Sequence, residues 1–288
     1  MFHNLLDGGD ELFAYPTELK LKSMLAAEAL TEDDYQSLVI LPQNAGEAQD
    51  NGPAAEWTVE SYSKHNRPNV IARALFDRGG YDAHWDRTSK VQHPLASLIR
   101  KDVLSVQSNS NQKHKHPRMW CVKEVGGHTH RIAAAWRKLF PGARIIMIRR
   151  SPLKVIRSVL NDRRRIGVRP TWTNLIKQIF DAVAVDRAIA TYEKQPEVLA
   201  VRYEDLVRSP QTEMKRVCDF LAIGCEPILH RPTLFGMETV VKTSSKPSHS
   251  IFADTSAWHQ GLTAREKCMI FLFYPIAMIT SGAICLLR

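Results

Sequence analysis

The sequence has few cysteines and no close pair of them. Its 288 residues include five cysteines, an odd number without a C-x-x-C spacing. A disulfide framework and a cysteine zinc site are therefore both disfavoured, and the composition is typical of a protein from a reducing compartment. The cysteines are Cys121, Cys218, Cys225, Cys268 and Cys285.

The N-terminal stretch lacks the features of a secretory leader. MFHNLLDGGDELF has no basic flank, and Asp7 interrupts its short apolar run. A signal peptide needs a positively charged start followed by an uninterrupted apolar core, so this stretch is not one. We therefore expect a cytoplasmic protein.

Acidic residues are also in short supply. Asp and Glu number 30 against 39 Lys and Arg, which gives a formal net charge of +9. An anionic partner fits this charge, and nucleic acid, a membrane surface and a phosphorylated small molecule all have the right sign. The arginines lack interleaved aromatic residues and the chain has no recognisable nucleic-acid-binding motif, so we expect no nucleic acid as a partner.

Two polar stretches predict loops. Residues 42–56 and 105–117 are rich in turn formers and poor in periodic apolar residues. The blocks between them are too short to form separate cores, and the sequence has no internal repeat. We therefore predict a single domain over residues 1–288 that contains two variable loops.

Predicted strands and helices alternate along the second half of the chain. Apolar runs of strand length are followed by segments with helical periodicity or helix-start signals. This alternation is typical of an α/β protein with a parallel sheet covered by helices. The predicted strands are 119–125, 143–149 and 198–203, and the predicted helices are 129–139, a segment from Pro152, 173–194, and a segment from Ser209-Pro210 to Gly224.

The predicted strand 143–149 leads into two arginines, and Ser151-Pro152 follows them. Ligands of parallel sheets bind at the carboxyl ends of the strands, which is where Arg149 and Arg150 fall. Ser151 suits the N-cap of the next helix, whose free N–H groups would point to the same place. The segment indicates a phosphate-binding corner, and solvated arginines at a strand end explain it equally well.

The helix after this strand has a predicted inner and outer side. Arg157 and Ser158 are expected on the side next to the phosphate-binding corner. The expected buried residues are Pro152, Val155, Ile156 and Val159.

Several segments resemble the sulfotransferase family in the family's own order. Arg150, Pro152 and Ser158 match the family's 3′-phosphate motif, R-x-P-(x)5-S. WCVKEVGGHTH resembles the lysine-bearing strand of the bacterial and tyrosylprotein-type branch, and VRYEDLVRSPQTEMKRVCDFLAI resembles the family's Tyr-Glu-Asp-Leu segment. LLDGGDELFAYPTELK resembles the stretch after the family's N-terminal phosphosulfate loop. The resemblance implies a P-loop-NTPase-like sulfotransferase fold over nearly the whole chain.

Members of this family move a sulfonate group from 3′-phosphoadenosine 5′-phosphosulfate to a hydroxyl or an amine. The resemblance implies this donor as co-substrate, no metal, and a small-molecule, carbohydrate or peptide acceptor set by the loops at 42–56 and 105–117. For Tyr203, packing against the Glu204-Asp205 turn is an equal alternative to a nucleotide contact. The residues that the resemblance places at the donor nucleotide are Arg150, Ser158, Tyr203 and Ser248.

Lys123 and Glu18 are the catalytic residues that the resemblance implies. Lys123 would neutralise charge near the leaving phosphate. Glu18 falls, with a one-residue gap, where the tyrosylprotein branch has its catalytic carboxylate. From the residues alone, Lys123 also fits a side chain that extends from a strand end to solvent. Glu18 likewise fits a surface carboxylate capping a helix that begins near Leu19.

The sequence departs from the family pattern at three places. Trp258 fits the family's tail, but Ala257 stands where a basic residue is usual, and Lys154 replaces an acid. The chain begins at Met1 where the glycine-rich 5′-phosphosulfate loop of relatives would have ended, so we expect the N-terminal strand and loop to be missing. Two interpretations follow. The chain is a sulfotransferase impaired by this truncation, or it is a non-catalytic remnant that binds nucleotides or polyanions. Leu262 and Glu266 complete the match to the tail.

Two pairs of histidines have the alternate spacing of metal ligands on a strand. A third ligand is not evident for either pair, so solvated histidines are expected rather than zinc. They are His114 and His116, and His128 and His130.

Cys268 to Leu287 is a run without charge that is long enough in principle to cross a bilayer. Tyr274, Thr280 and Ser281 dilute its apolar character, and Pro275 would kink a helix. The family has an ordinary terminal helix at this position, so we predict a buried helix packed on the sheet. A membrane anchor is the alternative.

Overall fold

The computed structural model describes most of the second half of the chain and several segments of the first half. Within these residues, helices alternate with short strands. The described residues are 5–7, 9–18, 28–39, 85, 86, 88–109, 117–123, 129–165, 167, 168, 170–234, 237, 238, 241, 242, 247, 248 and 257–286.

Strands and helices occur along the described residues from Leu12 to Leu286. The strands are β1 (Leu12–Glu18), β2 (Ala29–Leu30), β3 (His93–Pro94), β4 (Met119–Lys123), β5 (Ile145–Arg149), β6 (Val198–Arg202), β7 (Thr233–Leu234), β8 (Met237–Glu238), β9 (Val241–Lys242) and β10 (Pro247–Ser248). The α-helices are α1 (Glu32–Val39), α2 (Leu95–Asn109), α3 (Thr129–Leu139), α4 (Pro152–Arg165), α5 (Trp172–Tyr192), α6 (Tyr203–Arg208), α7 (Pro210–Leu221) and α8 (Ala264–Leu286), with a 3-10 turn at Pro227–His230.

The chain divides into two compact units. The prediction of a single domain over residues 1–288 stays a prediction. The first unit contains Met1–Val125, Ala135–Pro141 and Cys218–Ile251, and the second contains Gly126–Ala134, Gly142–Val217 and Phe252–Arg288.

In the first unit, β1 and β4 form a parallel pair, with Leu12 opposite Met119 and Glu18 opposite Lys123. The apolar start of β1 is buried at consecutive positions, as is typical of a strand covered on both faces. The register shifts between Ala14 and Glu18. Pro16 lies in this interval and has no N–H group to donate to a neighbouring strand.

Helix α2 supports this strand pair through a buried polar contact. The hydroxyls of Tyr15 and Tyr35 both donate to Oδ2 of Asp102, at 3.1 and 2.9 Å. Asp102 is fully buried, so these bonds satisfy a carboxylate that would otherwise be costly to bury. The apolar residues of α2 that lie in the core are Leu95, Leu98, Ile99, Val103 and Val106.

The prediction of a loop at 105–117 is wrong at its start, because α2 continues to Asn109. The hydroxyls of Ser105 and Ser108 donate to backbone carbonyls four residues earlier in the helix. Such bonds accommodate polar residues within a helix. Residues 110–116 and the other predicted loop, 42–56, lie outside the described residues.

In the second unit, β5 and β6 form a parallel pair that runs from Ile145 opposite Val198 to Arg149 opposite Arg202. Ile189 of α5 packs with Met147 and Val198 in one buried cluster. These parallel strands covered by helices are the α/β architecture that the alternating pattern predicts.

A second core in this unit joins three helices. It contains Ile156 and Leu160 of α4, Leu175, Ile179 and Val183 of α5, and Ile270 and Ala277 of α8. The C-terminal segment is thus a packed helix, but among the described residues its buried side chains join a core of α4 and α5, whereas the prediction placed it on the sheet. Within the described part of the chain, no helix is both long enough and apolar enough to cross a bilayer.

The predicted end of α7 needs correction. The helix ends at Leu221, and Ala222 takes a left-handed backbone conformation with φ 56°. Ile223 N–H then donates to the Cys218 carbonyl at 3.1 Å, which is the six-to-one bond of a Schellman ending. Gly224, the predicted terminator, lies beyond the turn, and its N–H donates to Glu11 at 2.7 Å.

Candidate functional site

The two predicted catalytic residues lie at the ends of neighbouring strands in the first unit. Glu18 ends β1, Lys123 ends β4, and the two are partners in the strand register. Paired parallel strands lie about 5 Å apart, so the pairing brings these two backbone positions together at the carboxyl ends. Glu18 is a strand residue, and the helix predicted near Leu19 lies outside the described residues.

In the second unit, Arg149 is fully engaged by acidic residues of α5 and its C-terminus. Its Nε and Nη2 donate to the two carboxylate oxygens of Asp186, at 2.7 and 3.2 Å. Glu193 lies 3.6 Å from its Nη1. The hydrogen bonds with Asp186 raise the pKa of the Arg149 guanidinium, against the effect of burial. Arg149 therefore has a structural role, because its guanidinium already pairs with acidic residues of the protein.

The next residue, Arg150, has different surroundings. Its guanidinium carbon lies 4.5 Å from the ring centroid of Tyr203. Its Nε is buried and has no hydrogen-bond partner among the described residues. A buried donor without a partner is uncommon in folded proteins, and a bound anion is one group that would satisfy it.

The start of α4 follows this arginine directly. The Ser151 carbonyl accepts from Val155 N–H at 3.0 Å, so Ser151 occupies the predicted N-cap position. Its own N–H donates to Glu204 at 3.2 Å. Glu204 therefore takes one backbone donor of the corner that the sequence assigned to a phosphate, and Tyr203 and Glu204 both lie beside the Arg150-Ser151 turn.

Ser158 lies six residues after Pro152, or about 9 Å along the axis of α4, and is half-buried. The predicted sides of this helix need correction. Arg157 was expected beside the corner, but it is buried and its Nη1 donates to the Ala257 carbonyl at 3.3 Å. The fully buried apolar residues are Ile156 and Leu160, because a stripe of i and i+4 positions faces α5.

Ser248 is placed only by its backbone. It lies in β10, opposite Val241 in an antiparallel pair within the first unit. Its side chain, like that of Glu18, lies outside the described residues.

The comparison with protein families agrees with the motif order of the chain. The model of the sulfotransferase family, Sulfotransfer_3, matches residues 21–227. This chain belongs to the sulfotransferase family. No curated protein shows significant sequence similarity to it.

Two solved sulfotransferase domains share the fold. The sulfotransferase domain from the curacin biosynthetic pathway is 17% identical, with a TM-score of 0.50 over 94% of this chain and 91% of that domain. The sulfotransferase domain from the Synechococcus PCC 7002 olefin synthase is 18% identical, with a TM-score of 0.52 over 96% and 88%. The chain thus has the P-loop-like sulfotransferase fold.

In this sulfotransferase, the tail residues act as structural supports. Arg164 donates to the Glu266 carboxylate, and the N–H and hydroxyl of Thr263 donate to the same oxygen at 2.8 and 3.0 Å. Burial alone would raise the pKa of Glu266, but these bonds lower it. Trp258 packs against the core of α4, α5 and α8.

The acidic residues that contact the carboxyl end of β5 in this sulfotransferase were not predicted from the sequence. Asp186 and Glu193 engage Arg149, and Glu204 accepts from Ser151. Only the Glu204-Asp205 pair after a predicted strand gave a signal, because it lies at the carboxyl end of β6.

His114, His116 and His128 lie outside the described residues, as does the side chain of His130. The parts of the chain that are described contain no group of three or more potential metal ligands.

Proposed function

We propose that this chain transfers a sulfonate group from 3′-phosphoadenosine 5′-phosphosulfate to a hydroxyl or amine acceptor. Family membership supports sulfonate transfer in general. The observation that supports this donor is the difference between two adjacent arginines. Arg149 is neutralised by Asp186 and Glu193, whereas the buried Nε of Arg150 has no partner among the described residues.

Arg150 has the chemistry to hold the 3′-phosphate. A guanidinium binds phosphate through two parallel N–H groups, and such charge-assisted bonds are among the strongest hydrogen bonds in proteins. The Tyr203 ring, 4.5 Å away, restricts where the guanidinium can lie. In this proposal Ser158 adds a hydroxyl donor from α4, and Ser248 contacts the nucleotide, as the resemblance implies.

The chemical step breaks the bond between sulfur and the bridging oxygen of the donor and forms a bond from sulfur to the acceptor oxygen or nitrogen. Negative charge develops on the departing phosphate, and we assign Lys123 to stabilise it. The acceptor loses a proton, and we assign Glu18 to receive it. The register pairing of Glu18 with Lys123 supports treating them as one catalytic pair.

Calorimetry with two nucleotides tests the donor assignment. Adenosine 3′,5′-bisphosphate carries the 3′-phosphate, and adenosine 5′-monophosphate lacks it. Arg150→Ala should weaken binding of the bisphosphate about tenfold or more, because a charge-assisted contact contributes about 1.5–3 kcal/mol. Binding of the monophosphate should change by less than about threefold.

The matched control is Arg208→Ala, which removes an arginine with a side chain that is 75% exposed in the same unit. It should leave both affinities unchanged. If Arg150→Ala weakens both nucleotides equally, or neither, then Arg150 does not hold the 3′-phosphate. Tight nucleotide binding without any release of labelled sulfate from the donor would support the non-catalytic remnant instead.

A further inference from the structure

Helix α8 presents apolar side chains on two opposite faces. One face is buried, with Ile270 1% and Ala277 0% exposed in the core shared with α5. The opposite face forms what we name the outer stripe. Its members are Phe271, Leu272, Ile276, Met278 and Ile279, which are 79, 53, 47, 37 and 76% exposed.

The spacing of the outer stripe makes it one continuous surface. Leu272, Ile276 and Ile279 follow one another at intervals of four and three, and Phe271 and Met278, seven residues apart, lie beside them on the same side of the helix. From Cys268 to Leu286, α8 contains no charged residue that could interrupt this surface. Single exposed apolar residues are common in proteins, but a continuous apolar surface usually marks an interaction site.

Cationic side chains lie at both ends of the outer stripe. Arg265 and Lys267 are exposed in the first turn of α8. Arg187 of α5 donates to the Met278 carbonyl near the other end. Trp172, which is 41% exposed, lies under Arg265, with 3.4 Å between its ring centroid and the guanidinium carbon. Arginine and tryptophan at the edge of an apolar surface are typical of proteins that contact a membrane interface.

The carboxylates of α5 and α8 do not neutralise these end residues. Each already has a cationic partner: Asp181 with Lys177, Asp186 with Arg149, and Glu266 with Arg164. Among the described residues, no carboxylate pairs with Arg265 or Lys267. The edges of the outer stripe therefore carry unneutralised positive charge, on a chain whose net charge is +9.

We propose that the outer stripe lies on the surface of an anionic lipid bilayer, as a one-sided peripheral contact. Apolar side chains would enter the boundary between headgroups and acyl chains, and Arg265 and Lys267 would pair with anionic headgroups. The buried face of α8 stays packed on α5. An isolated interfacial helix has a polar face directed away from the bilayer, and here the rest of the protein lies on that side. This proposal does not depend on the proposed sulfonate transfer.

A second copy of the chain fits the outer stripe less well. Stable protein interfaces use about 20–30 residues on each side, whereas the outer stripe has five apolar residues. Two copies would also bring together surfaces of the same charge sign, which opposes association. An anionic bilayer has the complementary sign.

Co-sedimentation of the full chain with phospholipid vesicles tests the proposal. The parent should bind vesicles of phosphatidylcholine with phosphatidylserine, should bind pure phosphatidylcholine vesicles much less, and should dissociate partly in high salt. Phe271→Ser with Ile279→Ser should lower the ratio of bound to free protein about tenfold or more, because both side chains lose their apolar contact.

The matched control is Val91→Ser with Leu104→Ser, which removes two side chains that are 59 and 57% exposed elsewhere on the chain. It should bind as the parent does. Arg265→Gln with Lys267→Gln should weaken binding to the phosphatidylserine vesicles about tenfold and leave the weak binding to phosphatidylcholine unchanged.

Failure of the parent to bind phosphatidylserine vesicles overturns the proposal without any variant, so misfolding of a variant cannot obscure the result. Equal binding by the Phe271 and Ile279 double variant also overturns it. Light scattering gives a third outcome: a dimer that this double variant abolishes, without vesicle binding by the parent, would assign the outer stripe to a second copy.

Discussion

The two parallel strand pairs end in opposite electrostatic arrangements. At the carboxyl end of β1 and β4, an acid lies opposite a base, Glu18 with Lys123. At the carboxyl end of β5 and β6, two bases lie opposite each other, Arg149 with Arg202. In the first pair, the strand register itself places residues of opposite charge at neighbouring backbone positions. The second pair needs charges from elsewhere.

Among the described residues, those charges reach Arg149 at the end of β5 but not Arg150, which follows it. Asp186 and Glu193 neutralise Arg149, while Arg150 has an aromatic ring beside it and a buried Nε without a partner among the described residues. Arg202 is mostly exposed and lies 3.8 Å from Asp205. This difference matches the proposed roles, in which Glu18 and Lys123 serve the proton transfer and the developing charge, and Arg150 binds a permanent anion on the substrate.

The largest expected effect tests the first pair. Lys123→Ala should slow the release of labelled sulfate from the donor, with water as acceptor, about 100-fold, because a residue that stabilises charge only in the transition state contributes mainly to rate. Binding of adenosine 3′,5′-bisphosphate should change by less than about threefold.

Lys138→Ala is the control for this change, since Lys138 has a side chain that is 82% exposed and a distant ion pair with Glu28 at 3.9 Å. Its rate should equal that of the parent. If Lys123→Ala weakens nucleotide binding as much as it slows sulfate release, the two strand pairs share one role and the comparison fails.

The second effect separates Arg149 from Arg150. Arg149→Ala should lower the free energy of unfolding by about 1–3 kcal/mol, because it leaves a partly buried Asp186 carboxylate without its two hydrogen bonds. Denaturant titration measures this loss, and Arg202→Ala, its partner in the strand register, should stay within about 0.5 kcal/mol of the parent.

The folded Arg149→Ala protein should bind the bisphosphate as the parent does. A protein that keeps its stability but loses nucleotide affinity would show that the roles of the two arginines are reversed.

The helices of the second unit were largely predictable because their signals are local. Ser151-Pro152 marks the start of α4, and the apolar spacing of α5 gives its extent within two residues at either end. Helix α2 was not predicted, and its C-terminal end was assigned to a loop because serine, glutamine and asparagine there are typical of loops. Strand β1 was missed because Pro16 lies within it and weakens a strand pattern.

The site was predictable only as a set of residue types. The sequence placed two arginines at one strand end, but it could not show that Arg149 and Arg150 differ. That difference depends on Asp186, which lies 37 residues from Arg149 on α5. The packing of α5 against β5 brings the two side chains together, and no local sequence pattern encodes that contact. The burial of Arg157 was missed for the same reason, since its partner is the carbonyl of Ala257, 100 residues away.

The smallest expected effect concerns the ring beside Arg150. The Tyr203 ring contributes a cation–π contact of about 0.5–1 kcal/mol, which corresponds to a twofold to fivefold change in affinity. Tyr203→Leu should therefore weaken binding of adenosine 3′,5′-bisphosphate by about that factor, whereas Tyr203→Phe, which keeps the ring, should bind within about twofold of the parent. Calorimetry on both variants measures the difference.

The nucleotide lacking a 3′-phosphate again separates the possible causes. If the ring acts by positioning Arg150, Tyr203→Leu should weaken binding of the bisphosphate but not of adenosine 5′-monophosphate. Equal weakening of both nucleotides would mean that the ring contacts the adenosine portion itself. An equal loss in Tyr203→Phe would instead assign the contribution to the phenolic hydroxyl, and the aromatic ring would then not be what distinguishes Arg150 from Arg149.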